Sequence, residues 1–199
     1  MAFNIKSLKA AMPLGGARPT QFSVEITPPS LVDLEGIRNL RFFTEAAQLP
    51  SSELGLIEIA FFGRRIKLAG DRTFPEWTTT VINEEDFRTR NALEQWSSKI
   101  NGLTTNRANY RRFEGVAGYK TTAKVIQYDK NGGVVREYEF DGIFPQVVSE
   151  IETNWDETDA IERFSVTWQY DQYRVTQRGS SNKIGEDLGN TVTDRTRLR

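Results

Sequence analysis

The chain has 199 residues, 26 Lys and Arg against 27 Asp and Glu, and neither cysteine nor histidine. With 38% hydrophobic residues and 12 Phe, 6 Tyr and 4 Trp it can fill one domain core, which excludes disorder of the whole chain. The missing residue types exclude disulfides, thiolate zinc sites, cysteine nucleophiles and Ser-His-Asp or histidine-metal chemistry, so an enzyme would have only carboxylates, Lys, Tyr or Ser. No run approaches about 18 apolar residues, and residues 1–20 lack the continuous apolar stretch of a secretory signal. The expectation is a product made in the cytoplasm that does not insert into a membrane and holds no cofactor or metal.

In chain order, 21–27 alternates Phe22, Val24 and Ile26 with polar residues and is a half-buried strand closed by Pro28-Pro29. A second strand is expected within 38–44 around Leu40-Arg41-Phe42-Phe43, followed by a loop over 45–55. LIEIAFF, RRIKLAG and EWTTTVI, between 56 and 82, read as three strands separated by Gly63 and by Asp71-Arg72-Thr73. The single strong helix spans about 84–101. Asn83 is its expected cap, Glu84, Glu85 and Asp86 suit its first turn, and Gly102 ends it. Ala92, Leu93, Trp96 and Ile100 share one face of that helix while Phe87 points nearly opposite.

Residues 103–118 look irregular, and strands resume at 119–128 and 134–144 around the hairpin turn Asp129-Lys130-Asn131-Gly132-Gly133. Further strands are expected at 146–155 and 161–175. The four tryptophans, Trp77, Trp96, Trp155 and Trp168, are expected as core or interface anchors. This order gives hairpins rather than βαβ crossovers: a mainly antiparallel β-barrel or sandwich with one flanking helix. The expected organisation is an N-terminal extension (1–20), a β domain (21–176) and a polar C-terminal arm (177–199).

Charge is uneven along the chain. Residues 129–171 hold eleven acids against three bases, net −8, whereas 101–128 and 172–199 are basic, net +4 and +3. That is the pattern expected where one copy meets another. Glu84, Glu85 and Asp86 are read as a charged helical turn rather than a metal or acid–base cluster. Glu137, Glu139 and Asp141, or Glu150 and Glu152, sit on alternate strand positions. A two-carboxylate hydrolase could be built that way, but a solvated sheet face is the commoner meaning. GVAGYKT (115–121) fails as a phosphate loop because Tyr119 separates glycine from lysine and a strand follows. Arg107, Tyr110, Arg111, Arg112 and Phe113 mix bases with aromatics as a single-strand nucleic-acid platform would, yet the chain as a whole is not basic.

The run from Phe42 to Asn101, including FFGRRIKLAGDRTFPEWTTTVINEEDF (61–87), together with EYEFDGIFP (137–145) and FSVTWQYDQYRV (164–175), resembles the inner tail tube proteins of contractile-tailed phages. The resemblance covers about 21–175. It implies a fold shared with type VI secretion and contractile bacteriocin tubes. It also implies hexameric rings whose sheets join into one inner barrel and stack into a tube within a sheath. Implied partners are further copies, sheath subunits, baseplate and tail-terminator proteins, and genomic DNA passing through the lumen without specific binding, all in a virion tail. On this view Phe87, Trp96, Arg107, Arg111 and Arg112 are candidates for subunit or ring contacts, and Glu137, Glu139, Asp141, Glu150 and Glu152 for the lumen wall. The alternatives are a tube-initiating baseplate protein, a DNA-free bacteriocin or secretion tube, or a monomeric nucleic-acid-binding β-barrel.

Overall fold

In the computed structural model, which describes residues 4–12, 15–29, 32–109, 118–156 and 158–177, alternation builds the sheets where the sequence shows it most plainly. The order is α1 (Ile5–Ala11), β1 (Phe22–Ile26), α2 (Leu34–Phe43), β2 (Thr44–Ala47), β3 (Glu53–Phe61), β4 (Arg64–Thr73), β5 (Trp77–Ile82), α3 (Arg88–Ile100), β6 (Thr121–Tyr128), β7 (Val134–Val148), β8 (Arg163–Gln169) and β9 (Gln172–Gln177). All pairings are antiparallel.

The long strand β7 belongs to two sheets. Its first half lies between β6 and β9, and β6 in turn pairs with β1. Its second half pairs with β8, which continues to β5 and β2. Residues 166–177 follow β7, from Val148↔Val166 to Arg136↔Gln177, with a register shift between Pro145 and Val147 and an interruption at Tyr170-Asp171. The expected strand over 161–175 is therefore β8 plus β9, broken opposite Gly142. There the backbone adopts φ +70, and a Cβ would fall 2.2 Å from a carboxylate oxygen of Asp171. Glycine permits the corner, which folds the two sheets into a sandwich rather than a closed barrel.

Inward residues of both sheets meet in one core that includes Val24, Val125, Phe140, Trp77, Val166 and Trp168. The Trp77 and Phe140 rings lie 4.6 Å apart, and Trp168 sits 6.2 Å from Trp77 and 5.9 Å from Trp96. Each buried indole N–H has an acceptor: Trp168 donates to Thr79 Oγ1 at 2.9 Å, Trp96 to the Tyr119 carbonyl at 2.9 Å and Trp77 to the Gln48 carbonyl at 2.6 Å. Burial of Tyr170 against Phe140 pushes its phenol up to about 12. The anchor reading of the tryptophans fails for the core at Trp155, which is 100% exposed.

Several elements differ from the sequence expectation. Residues 38–43 are helical, because Ile37 and Leu40 are three apart on a buried stripe and Asp33 caps the helix through the Glu35 N–H. Among the described residues there are thus three helices where one was expected. The helix expected from 84 begins at Arg88, after Phe87 takes a left-handed conformation (φ 55). Asn83 is not its cap and instead closes β5 by bonding Glu162. Glu84 and Asp86 still accept from the first helical N–H groups, those of Thr89 and Arg88. The strand expected at 146–155 ends at Val148. Pro145 is tolerated within β7 because this half of the strand is paired on one side only.

Helices α2 and α3 lie close enough that a Cβ on Gly36 would stand 2.7 Å from the Ala92 Cβ. Arg88 joins them, donating to Asp33 at 3.2 Å and pairing with Glu35 at 2.6 Å. That guanidinium, with help from the Glu35 N–H, holds the Asp33 carboxyl below its ordinary value.

Trp168→Ala empties a fully buried site and is expected to cost about 3–5 kcal/mol in denaturant unfolding. A carboxyl with a depressed folded-state value stabilises above its unfolded value and loses that contribution as pH falls. Asp33→Asn keeps the cap and is therefore expected to lower the unfolding midpoint at pH 7, with the difference from the parent shrinking below about pH 4.

Candidate assembly surfaces

β3 and β4 form a two-stranded sheet that no other strand among the described residues joins. Register gives it two unlike faces. On one, Ile57 opposes Leu68 and Ile59 opposes Ile66, with Phe61 at the tip beside Arg64. On the other, Glu58 opposes Lys67 and Ala60 opposes Arg65, and Glu58 is ion-paired to Arg65 at 2.8 Å. The apolar side chains of the first face are 47 to 61% exposed. Phe62, packed edge-on against Phe61 at 4.5 Å, is 92% exposed at the turn. A hairpin of this kind is marginal by itself in water, and a continuous apolar strip is the mark of an interface.

The outward face of the β1-β6-β7-β9 sheet is polar. Glu137, Glu139 and Asp141 share it, as alternation requires, but each acid has a base beside it. Lys124 on β6 reaches Glu137 at 2.8 Å and Glu139 at 3.5 Å, and Arg174 on β9 reaches Asp141 at 3.3 Å. The Glu137 carboxylate that accepts from Lys124 holds its ammonium above the ordinary value, against partial burial. Glu25 on β1 pairs with Arg41 at 3.4 Å, and Ser23 bonds the Tyr128 hydroxyl at 2.9 Å. Glu150 and Glu152 do not join this face, since both lie beyond the end of β7 in the irregular segment leading to β8.

Of the remaining site candidates, Phe87 is 40% exposed at the start of α3. Trp96 is corrected: with no exposed surface it belongs to the core of its own subunit and offers nothing to a neighbour. Arg107 is exposed beyond α3, its carbonyl accepting from the Gly102 N–H at 3.0 Å, whereas Arg111 and Arg112 lie outside the described residues. Among the described residues no three acids gather as a metal site. The hairpin face was missed by sequence reasoning. Its signal is present, because apolar residues recur at 57, 59 and 61 and again at 66 and 68, while the matching acids and bases fall on the other side.

A sandwich with a polar sheet face, open edges at β1, β9 and β2, and an apolar hairpin left uncovered among the described residues has the form of a structural subunit rather than of an enzyme pocket. The family model described as "Phage tail tube protein" matches residues 17–176, and the chain belongs to that family. It is 34% identical over 158 residues to tail tube protein gp19 of Enterobacteria phage T4, covering 79% of this chain and 90% of that one. Against the tail tube protein of Serratia phage KSP90 the identity is 26% over 171 residues, 84% and 94% of the two chains. The fold is shared with the tube-terminating cap of the anti-feeding prophage (TM-score 0.57, 16% identity, 81% and 91% covered). It is shared also with the extended sheath–tube complex of the PVC extracellular contractile injection system (TM-score 0.54, 12% identity, 88% and 99% covered). The protein is thus a structural tube subunit of the virion tail, as the motifs in 42–101 imply.

Proposed function

We propose that six copies close into a ring through the β1-β6-β7-β9 sheet and that rings stack into the tail tube through the β3–β4 hairpin. The observation that carries this is the hairpin's apolar face, which stands about half exposed among the described residues. Four antiparallel strands leave β1 and β9 as outer edges running in opposite directions, so β9 of one copy can pair antiparallel with β1 of the next. Repeating that step around a ring leaves neither β1 nor β9 as an exposed edge. The polar face then lines the lumen with Glu137, Glu139 and Asp141, each base on it already committed to a carboxylate. DNA meets paired charges with acids in excess and gains little from counterion release. Phe87 and Arg107 remain candidates for contacts between subunits, and the outer surface is left for sheath, baseplate and terminator proteins.

Ile59→Asp places a charge at the centre of the hairpin face. It is expected to abolish tubes in negative-stain electron microscopy while leaving the thermal unfolding of the isolated subunit within a few degrees of the parent. Normal tubes from this variant would refute the hairpin's role. Removing two lumen acids by Glu137→Gln with Glu139→Gln frees Lys124, and the resulting tubes are expected to retain duplex DNA in a salt-sensitive manner that parent tubes do not show.

A further inference from the structure

The helix α1 precedes the region matched by the family, and the ring and stacking surfaces described above do not use it. Ile5, Leu8 and Met12 form a stripe along one side of it, all at least half exposed, and no residue of α1 is buried. Lys9 borders that stripe and Lys6 lies one step further round. Before Glu25 the chain has three bases and no acid. Seven residues are too few for a helix to hold itself in water, and no residue of α1 is buried among the described residues, which leaves its apolar stripe open to a partner.

A surface with the complementary character lies past the other end of β7. Between Arg136 and Arg163 the chain has no base, and the segment after Val148 carries Glu150, Glu152, Asp156 and Asp159. Among the described residues none of these four is ion-paired, and neither is Lys6 or Lys9. Set among the acids are two large apolar side chains in open water, Trp155 at full exposure and Ile161. The N-terminal segment meets the opposite end of the strand, where the Tyr128 N–H donates to the Gln21 carbonyl at 2.9 Å and Gly15 and Arg18 border a cavity beside the β6–β7 turn. The path between the two along β7 is about 50 Å.

We propose that α1 of one copy docks on the 149–162 segment of a copy in the adjoining ring, its Ile5-Leu8-Met12 stripe covering Trp155 and its lysines facing Glu150 and Glu152. Complementary surfaces at opposite ends of one strand make a heterologous contact, which propagates along an axis instead of closing on itself. The contact rests on the stacked-ring reading and adds a tether between rings beside the hairpin. It also gives Glu150 and Glu152 a place outside the lumen.

The chain's lack of cysteine makes the test direct. In the full-length protein, Leu8→Cys combined with Trp155→Cys is expected, on mild oxidation of assembled tubes, to give a ladder of covalent oligomers well above dimer on a non-reducing denaturing gel. Each single variant is expected to stop at dimer. Lys6→Glu with Lys9→Glu is expected to raise the protein concentration needed for tubes about tenfold, and adding Glu150→Lys with Glu152→Lys to restore it. Tubes that form normally but give no ladder and ignore the charge reversal would overturn this contact and leave the tube reading standing. A fast-migrating intramolecular disulfide would overturn it as well, by placing α1 on its own subunit. Failure of the parent protein to form rings or tubes would overturn both readings.

Discussion

Two sheets can share a core here because one strand runs through both, and that sharing depends on the corner at Gly142. Any side chain at that position would meet the Asp171 carboxylate, which is itself held by the Lys120 ammonium at 2.6 Å. The corner turns Tyr138 and Phe140 toward the same interior that Phe164, Val166 and Trp168 enter from the other sheet. Without it the tryptophan cluster would have no second wall, and α3 would have no surface for Leu93 and Trp96. The four-stranded face that carries the ion pairs is flanked by free edges because β7 departs at that point to pair elsewhere.

The molecule divides its surface by the solvent each part meets. Where water stays, on the outward face of β6, β7 and β9, charges are paired at hydrogen-bonding distance and contribute little to stability individually. On the lumen reading proposed above, their value lies in leaving no free cation on that face to hold a polyanion. On one side of the hairpin, from Ile57 and Leu68 to the tip, the only charge is Arg64, and the aliphatic side chains of Ile57, Ile59, Ile66 and Leu68 stand in register. Both arrangements come from the same period of two, applied to strands that differ in what covers them.

That period explains which parts of the structure were legible in the sequence. β1, β5, β6 and the first half of β7 alternate strictly, and the turn at Asp129 shows its Asn-Gly-Gly chemistry openly, with Asp129 accepting from the N–H groups of Asn131 and Gly133. The inward face of α3 followed from the spacing of Ala92, Leu93 and Trp96. The helix α2 did not, since Leu40-Arg41-Phe42-Phe43 fits a short strand as well as a helix end, and only the packing of Ile37 and Gly36 on α3 decides between them. The end of β7 at Val148 was hidden for a related reason: VVSEIETNW alternates acceptably, but no strand is available to pair with its second half. The hairpin was visible as two strands, while its isolation was not, because periodicity reports which side chains share a face and not whether anything in the same chain covers it.

The hairpin also bears on how growth of the assembly begins. A two-stranded sheet is marginal by itself in water, so on the stacking reading proposed above the first docking event bears the conformational entropy of fixing the hairpin. At the end of an existing tube the receiving surface is already fixed, and each incoming subunit bears only its own share of that cost. Initiation is then slower than elongation, giving a lag in tube growth that a preformed template shortens.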